Sequence, residues 1–385
     1  MARSTVSIGS TGEDVTYLQQ SLTKLGYNPG PIDGIFGSNT ETAVRLFQKA
    51  KGLVVDGIVG NNTWTAIDNA LKSPLTIKDF FCYKEDTKYV YEGKGNEYAS
   101  YNVLVDYLTG NRVQLRSNNG GTETVKVLEN TDGKLTMLLS RGECYYRENL
   151  TQSPSSNAEI LLKEPLITGT TWTLADNRKR YISNVEVEVP TPSGKYKTLE
   201  VTTNGKADKT LDYYAPNVGL VKTVFISNGG EISSSLSKIE NNVLFTQSLE
   251  FYYPNVNGIN LNFVYKQLIF KTNEITRIKI QTAYKDLPKG NIGRVLSPNA
   301  GIKSLYLNKD TMVYVDFTKE FVSEMNAGSG YESMILQSIT NTLGRYYNVN
   351  KVYLTVEGNP YASGHIIMKK GEPFIVNLKN CVLLK

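Results

Sequence analysis

The chain holds one histidine, His365, and three cysteines, Cys82, Cys144 and Cys381. An imidazole beside a thiol can activate the sulfur for acyl transfer, so His365 with Cys381 is the sharpest nucleophilic couple the composition allows. A catalytic zinc needs two or three imidazole or carboxylate ligands around an open position, and a single histidine argues strongly against one. No two cysteines stand at zinc-ligand spacing. The three thiols read as buried or half-buried groups, with one disulfide as the variant. Among the 37 acidic residues no spacing nominates the acid and base of a glycosidase. Asp316 and Glu320 straddle a strand-to-helix junction, where a helix dipole favours acids for structural reasons. No glycine loop followed by lysine is present to cradle phosphate. No residue is therefore nominated as catalytic, and no metal or cofactor is expected.

The elements that would position a binding site are clearest near the start. Asp33-Gly34-Ile35-Phe36-Gly37 followed by Thr40 is repeated, 23 positions on, as Asp56-Gly57-Ile58-Val59-Gly60 followed by Thr63. Each copy joins a glycine turn to the start of a helix. Ser38 with Glu41 has the form of a capping box, and Asn61 or Asn62 can cap the second copy. Three amphipathic helices are predicted. Val15, Leu18, Leu22 and Leu25 line the first, Ala43, Val44 and Phe47 the second, and Trp64, Ile67 and Leu71 the third. If the half-repeat is a pseudo-twofold, both turns face one shallow groove near Asp33, Phe36, Asp56 and Trp64, with Tyr27 and Asn39 as further contacts. The alternative is that both aspartates bond their own turns and both aromatics are core.

The run Gly12, Val15, Leu18-Gln19, Leu22, Leu25-Gly26-Tyr27, Ile32-Asp33-Gly34, Phe36-Gly37, Thr40, Ala43-Val44, Phe47-Gln48, Leu53, Asp56 to Gly60 and Thr63-Trp64 resembles the peptidoglycan-binding domain 1 family over residues 6–72. The resemblance implies a three-helix module that anchors its chain to the bacterial wall. Peptidoglycan is thus the expected ligand, with Tyr27, Asp33, Phe36, Asn39, Asp56 and Trp64 as the candidate contacts.

Beyond Ser73-Pro74 the texture changes to short alternating runs rich in Tyr, Thr and Val. Val125 to Leu128, the turn Asn130 to Gly133 and Leu135 to Leu139 form one hairpin pattern. Val185 to Val189 alternates before Pro192-Ser193-Gly194 and Leu199 to Val201. The reading is antiparallel β structure with one buried and one wetted face. Arg178-Lys179-Arg180 reads as a solvated turn. Trp172, Ile182, Val187, Thr191 to Gly194 and Tyr213 to Lys222 resemble β-rich domains of secreted Gram-positive lipoproteins, which implies an extracytoplasmic setting and no assigned chemistry.

From Asn242 strand and helix mix. Ile259–Tyr265 is predicted as a strand and Glu274–Asp286 as a helix, with further strands beginning near Leu305 and Met312. Ser329 with Glu332 has capping-box spacing before a helix to Tyr346, and Val352, Leu354 and Val356 alternate as a last inward-facing strand. Val313 to Phe321, Glu332, Ile335 to Ile339, Asn341-Thr342-Leu343, Val349 to Val352 and Val356-Glu357-Gly358 resemble the GerMN sporulation and spore-germination domain over residues 245–380. That resemblance implies an endospore-forming Firmicute, and protein–protein assembly rather than catalysis.

The order His365 to Cys381 is similar to that of L,D-transpeptidases, which carry Ser-x-Gly-Cys before an arginine. Here Leu378-Lys379-Asn380-Cys381-Val382-Leu383 lacks the serine, the glycine and the arginine. The net charge of +5 is spread along 385 residues, too weak for a nucleic-acid footprint. Hydrophobic content of 40% and the lack of any long apolar run predict a multidomain globular chain without a transmembrane segment. The start, Met1 to Thr5, has no apolar h-region. An export signal was removed, another route is used, or the protein acts inside its cell. Three domains are expected: an all-α three-helix module over 1–73, a β-rich domain over 76–240 and an α+β domain over 242–385. The expected function is non-catalytic attachment to peptidoglycan at the cell envelope or spore cortex, with other sporulation or envelope proteins as partners of the last domain. The alternative is a peptidoglycan hydrolase or transpeptidase.

Overall fold

The computed structural model describes residues 3–25, 27–71 and 75–384. The expected exit at Ser73-Pro74, and Gly26 of the first motif, lie outside them. The chain divides into two compact units, Met1–Leu75 and Thr76–Lys385.

The first unit holds α1 (Glu13–Lys24), α2 (Ser38–Ala50) and α3 (Asn61–Leu71). The i, i+3, i+4 spacing puts Val15, Leu18, Leu22, Ala43, Val44, Phe47, Trp64 and Ile67 in one core, as that periodicity dictates. The capping box expected at Ser38 does not form. Gly37 is the N-cap with no side-chain bond, and Glu41 pairs instead with Arg45 one turn on (2.8 Å). Arg45 also donates to the Val55 carbonyl, so α2 holds the second turn.

The second unit begins with a twelve-stranded antiparallel sheet. Its strands are β1 (Lys88–Lys94), β2 (Tyr101–Thr109), β3 (Arg112–Asn118), β4 (Glu123–Thr131), β5 (Lys134–Arg141), β6 (Glu159–Lys163), β7 (Thr171–Thr173), β8 (Lys179–Thr191), β9 (Gly194–Asn204), β10 (Asp208–Ala215), β11 (Gly219–Ser227) and β12 (Gly230–Glu240). The order is β6-β5-β4-β3-β2-β1-β12-β11-β10-β9-β8-β7, two six-strand meanders joined through β1 and β12. Asp132-Gly133 turns β4 into β5 with both residues at positive φ, the left-handed pair a two-residue hairpin requires.

The sheet's two ends are stitched together by side chains. The Trp172 indole N–H donates to the Ile160 carbonyl (3.0 Å), and Arg180 donates to the same carbonyl (2.8 Å) and to Glu159 (2.7 Å). The expected solvated turn at Arg178–Arg180 is thus half wrong: Arg180 is buried, because β8 directs it inward onto the opposite edge. The alternation at Val185–Val189 marks a real strand, but two bulges leave Val185 exposed and only Val189 reaches the core.

Next come β13 (Phe245–Pro254), β14 (Leu261–Phe270), α4 (Thr276–Lys285), β15 (Ile302–Leu307), β16 (Val313–Phe317), α5 (Glu320–Ser323), α6 (Ser329–Tyr347), β17 (Lys351–Val356), β18 (Asn359–Pro360), β19 (Phe374–Ile375) and β20 (Cys381–Leu383). Hairpin β13–β14 takes β20 as a parallel third strand, while β16 and β17 run parallel across α6, a β-α-β crossover. Ile259, expected in a strand, is in an exposed turn ahead of β14. Helix α6 starts from Gly328, and Glu332 is turned into the interior rather than back to cap it.

The twelve-stranded sheet and the C-terminal elements share one core across the expected boundary near residue 241. Val125 and Val127 on the outer face of β4 pack in the same cluster as Phe251, Phe270, Ile335 and Leu343. The face of β4 carrying Val125 and Val127 is thereby buried, while on the other face Leu128 is buried and Lys126 is exposed. At this junction Asp106 stands between two arginines: Arg116 at 3.0 Å and Arg147 at 3.6 Å, all three buried. Arg147 reaches the Asp106 (2.8 Å), Lys271 (3.1 Å) and Glu274 carbonyls and the Tyr107 hydroxyl (2.7 Å). Arg116 reaches Glu123 (2.8 Å) and the Cys144 and Tyr146 carbonyls. Removing one partner from such a buried network leaves a charge uncompensated, at a cost of about 3–5 kcal/mol. Asp106→Ala is expected to lose that much in a urea titration of the full chain. Trp172 fluorescence should report the shift, and the transition reported by Trp64, in the other unit, should stay in place.

Candidate functional site

The repeated turns of the first unit are built on two buried glutamines, Gln19 in α1 and Gln48 in α2. A buried carboxamide must satisfy both its acceptor and its donors. Gln19 Oε1 accepts the Gly34 N–H (2.9 Å), and its Nε2 donates to Asp33 Oδ1 (2.9 Å), the Ile35 carbonyl (3.1 Å) and Thr40 Oγ1 (3.3 Å). Gln48 repeats the pattern with the Gly57 N–H (3.0 Å), Asp56 Oδ1 (2.8 Å), the Ile58 carbonyl (2.9 Å) and Thr63 Oγ1 (3.2 Å). In each turn the same aspartate oxygen accepts the N–H two residues on, from Ile35 or Ile58 (2.9 Å each). Gly34 and Gly57 share φ of 72°, which a side chain would strain. The N-terminal segment joins the two turns: Val6 bridges Val59 and Thr11 bridges Ile35.

Sequence reasoning named the aspartates and passed over the glutamines. The available signal was a glutamine on the inner face of each helix, 14 residues ahead of Asp33 and 8 ahead of Asp56. Because each aspartate serves its own turn, both carboxyls titrate below the ordinary range. The Gln19 carboxamide is the leading cause for Asp33, and the Ile58 N–H, then Gln48, for Asp56.

Of the six candidate contacts, the structure brings four to the surface. Asp33, Asp56 and Asn39 are exposed, and half-buried Tyr27 lines a shallow cleft with Thr23, Pro29 and Ile32 while its ring meets Phe47 edge-on. Phe36 and Trp64 are core, 1% and 4% exposed, and neither offers a ring face to a ligand. The Trp64 indole N–H is taken by the Ser4 carbonyl (2.8 Å). What the turns add at the surface is apolar. Ile32 and Ile35 flank Asp33, and Val55 and Ile58 flank Asp56 in the same way, each 42–54% exposed.

The proposed thiol–imidazole couple has separate partners. His365 Nδ1 meets Glu332 Oε2 (2.7 Å), whose other oxygen accepts from Tyr361 (2.6 Å) and Ser363. Burial opposes ionisation of Glu332, but these three donors outweigh it and hold its carboxyl below the usual value. Cys381 instead accepts from Asn341 (3.7 Å) and donates to the Asn377 carbonyl (3.8 Å). Glu332 and Asn341 are nine residues apart on α6, roughly 13 Å along its axis. Burial raises the Cys381 thiol, the opposite of an activated nucleophile. All three cysteines are free.

Residues 11–67 match the family described as "Putative peptidoglycan binding domain", and residues 250–362 match the family described as "Sporulation and spore germination". The chain carries both domains. The peptidoglycan-binding domain is similar to the SleB N-terminal domain, with 39% identity over 19% of this chain and 99% of that one (TM-score 0.18). It is also similar to part of a Burkholderia AP3 phage endolysin, with 42% identity over 20% of this chain and 30% of the endolysin (TM-score 0.17). The sporulation and germination domain is similar to the tandem GerMN domains of GerM from Bacillus subtilis, with 20% identity over 34% of this chain and 46% of that one (TM-score 0.26). A search of curated proteins returns no match.

Two outcomes are expected for the peptidoglycan-binding domain. Gln48→Ala strips four hydrogen bonds from the second turn and should destabilise the domain by about 2–6 kcal/mol, at about 0.5–1.5 kcal/mol per bond. Denaturant titration followed by Trp64 would measure it. Lowered carboxyl values in the fold mean stability that is complete above the unfolded value near 4 and lost as pH falls through the folded values. The Asp33→Asn, Asp56→Asn pair keeps an acceptor in each turn, and should flatten the acid dependence of the domain's melting between pH 5 and 2.

Proposed function

We propose that this protein is a non-catalytic wall-binding protein of sporulation or germination. Its first unit attaches to peptidoglycan at the cell envelope or spore cortex, outside the cytoplasm, and its second unit is thereby presented to partner proteins of the same assembly. The observation that carries the reading is the pairing of the two matched domains with a repeated turn whose exposed surface alternates a carboxylate with branched aliphatic side chains. Aliphatic flanks of this kind suit the methyl and methine faces of a glycan or its stem peptide, and a fixed carboxylate suits their hydroxyl and amide donors. Asp33, Asp56, Asn39 and Tyr27 are the contacts we assign.

The non-catalytic part of the reading is supported by the separation of His365 from Cys381 and by the full hydrogen bonding of Glu332. A buried carboxylate held ionised by three donors is built to stay as it is. A general acid or base needs a value near the working pH instead.

Purified sacculi test both parts. The full chain should be retained in a pull-down, the chain lacking residues 1–75 should wash through, and Asn39→Ala should weaken retention several-fold without changing the melting temperature. Equal retention of the full and shortened chains would overturn the attachment. A zymogram on the same sacculi is expected to show no clearing. Clearing that disappears in Cys381→Ala would make the protein a hydrolase or transpeptidase.

A further inference from the structure

The curled sheet of the second unit encloses a cavity of about 530 Å³ that the proposed wall attachment does not use. Side chains from ten of the twelve strands line it, so it is the hollow of the sheet itself rather than a surface dent. One part of the lining is aromatic. Tyr91 and Tyr101 stack at 4.6 Å, and Tyr83 meets Tyr89 edge-on, with Tyr214 beside them. The Tyr91 hydroxyl is spent on the Leu220 carbonyl and its ring is core, so the ring surface left to the cavity is that of half-buried Tyr83 and Tyr101.

Another part of the lining is charged, and two of its charges are unspent. Arg180 is fully engaged by Thr203, the Ile160 carbonyl and Glu159 while it closes the sheet. Asp212 is different. Thr223 donates to its Oδ1 (2.7 Å), and Oδ2 has no hydrogen bond among the described residues. Lys126 has neither an ion pair nor a hydrogen bond among the described residues. The period of two sends its neighbours Val125 and Val127 into the core on the other side of β4, and Lys126 lines the cavity while its side chain stays exposed to water. A half-buried carboxylate with one oxygen unbonded, among Leu115, Leu128 and Leu135, costs stability that an apolar residue would not. An apolar hollow with a few convergent polar groups is the ordinary form of a small-molecule site, and roughly 300–1,000 Å³ is its ordinary size.

The lining also selects the occupant. An acyl chain would strip water from Lys126 and Asp212 and return no hydrogen bond. A phosphorylated ligand would bring its own negative charge against Asp212 and Glu159. A sugar ring meets the requirements: its C–H face covers a tyrosine ring, and its hydroxyls both donate to Asp212 Oδ2 and accept from Lys126. From this geometry we infer that the hollow of the twelve-stranded sheet is a binding site for a saccharide of one or two rings, held between Lys126 and Asp212 over the tyrosine wall.

Burial raises the Asp212 carboxyl, with the Thr223 bond opposing. A raised value in the fold makes the ionised form a liability at neutral pH, relieved as pH falls. Asp212→Asn should therefore raise the melting temperature at pH 7 while it weakens the ligand. That opposite movement is what a merely structural aspartate would not give.

The test is calorimetric titration of the full chain with N-acetylglucosamine, N,N′-diacetylchitobiose, maltose and, as the apolar rival, laurate. At least one saccharide should bind, and Asp212→Asn and Lys126→Met should each weaken it tenfold or more, while retention on sacculi stays at the wild-type level. Should Lys126→Met fail to fold, Asp212→Asn decides alone. Three results overturn the site: no saccharide binds, binding survives in both folded variants and so belongs to the first unit, or laurate binds and the sugars do not. Loss of sacculus retention by a shortened chain that still binds sugar would leave this site standing and assign wall attachment to the first unit alone.

Discussion

Asp106 is the residue on which the second unit turns. It lies on β2 of the sheet, yet the two arginines it neutralises reach in opposite directions: Arg116 to the loop carbonyls of Cys144 and Tyr146, Arg147 to the carbonyls of Lys271 and Glu274 beyond β14. Burying two guanidinium groups is tolerable only where their donors are satisfied. Here the partners come from both sides of the 240s, and only Arg147 Nε, 3.6 Å from Asp106, is left without a hydrogen bond among the described residues. Phe245 and Phe270 cover the two cations at 4.9 and 4.7 Å, and Tyr107 covers the second at 4.2 Å. The sheet and the germination domain are therefore not beads on a linker. Either one alone would expose Val125 and Val127 or Phe270, and would strand a charge.

That coupling constrains how the protein can work. A partner that docks on the germination domain docks on a body whose other end is the hollow sheet. Occupancy of the hollow and engagement of a partner then share a scaffold through β4, whose inner face carries Lys126 and whose outer face carries Val125 and Val127.

The legibility of the sequence followed the range of the forces involved. Helix α1 was readable because Val15, Leu18 and Leu22 meet through local periodicity alone, and Asp132-Gly133 because a turn is decided within four residues. The capping boxes at Ser38 and Ser329 looked equally local, but the first lost to a rival pair one turn on and the second to partners far off in the chain. Glu41 had Arg45 available, and Glu332 had Tyr361, Ser363 and His365, which its own helix start could not match. Arg180 failed likewise, since nothing near it in sequence announces that Glu159 and the Ile160 carbonyl await it across the closed sheet. The site was legible by half. The turn aspartates were visible as a repeat, but the glutamines that organise them sit on other elements, and for Phe36 and Trp64 the core reading, favoured by the small domain's need for every apolar residue, is what burial shows.

The repeated turns of the first unit and the sheet cavity treat polar groups in opposite ways. In the turns, each glutamine and the shared aspartate oxygen find partners within the domain. That network is complete without a ligand, and it leaves the second oxygen of each aspartate, the aliphatic flanks, Asn39 and the cleft at Tyr27 at the surface. In the cavity the converse holds. Arg180 is satisfied and structural, whereas Asp212 is kept half-buried with one carboxylate oxygen unbonded, beside the exposed Lys126. A fold under pressure for stability alone replaces such groups, because their cost recurs whenever the hollow is empty. A ligand that fills those valences recovers the cost only when it binds. The free energy withheld from the empty protein is then available for affinity, and the hollow need not move to receive its occupant.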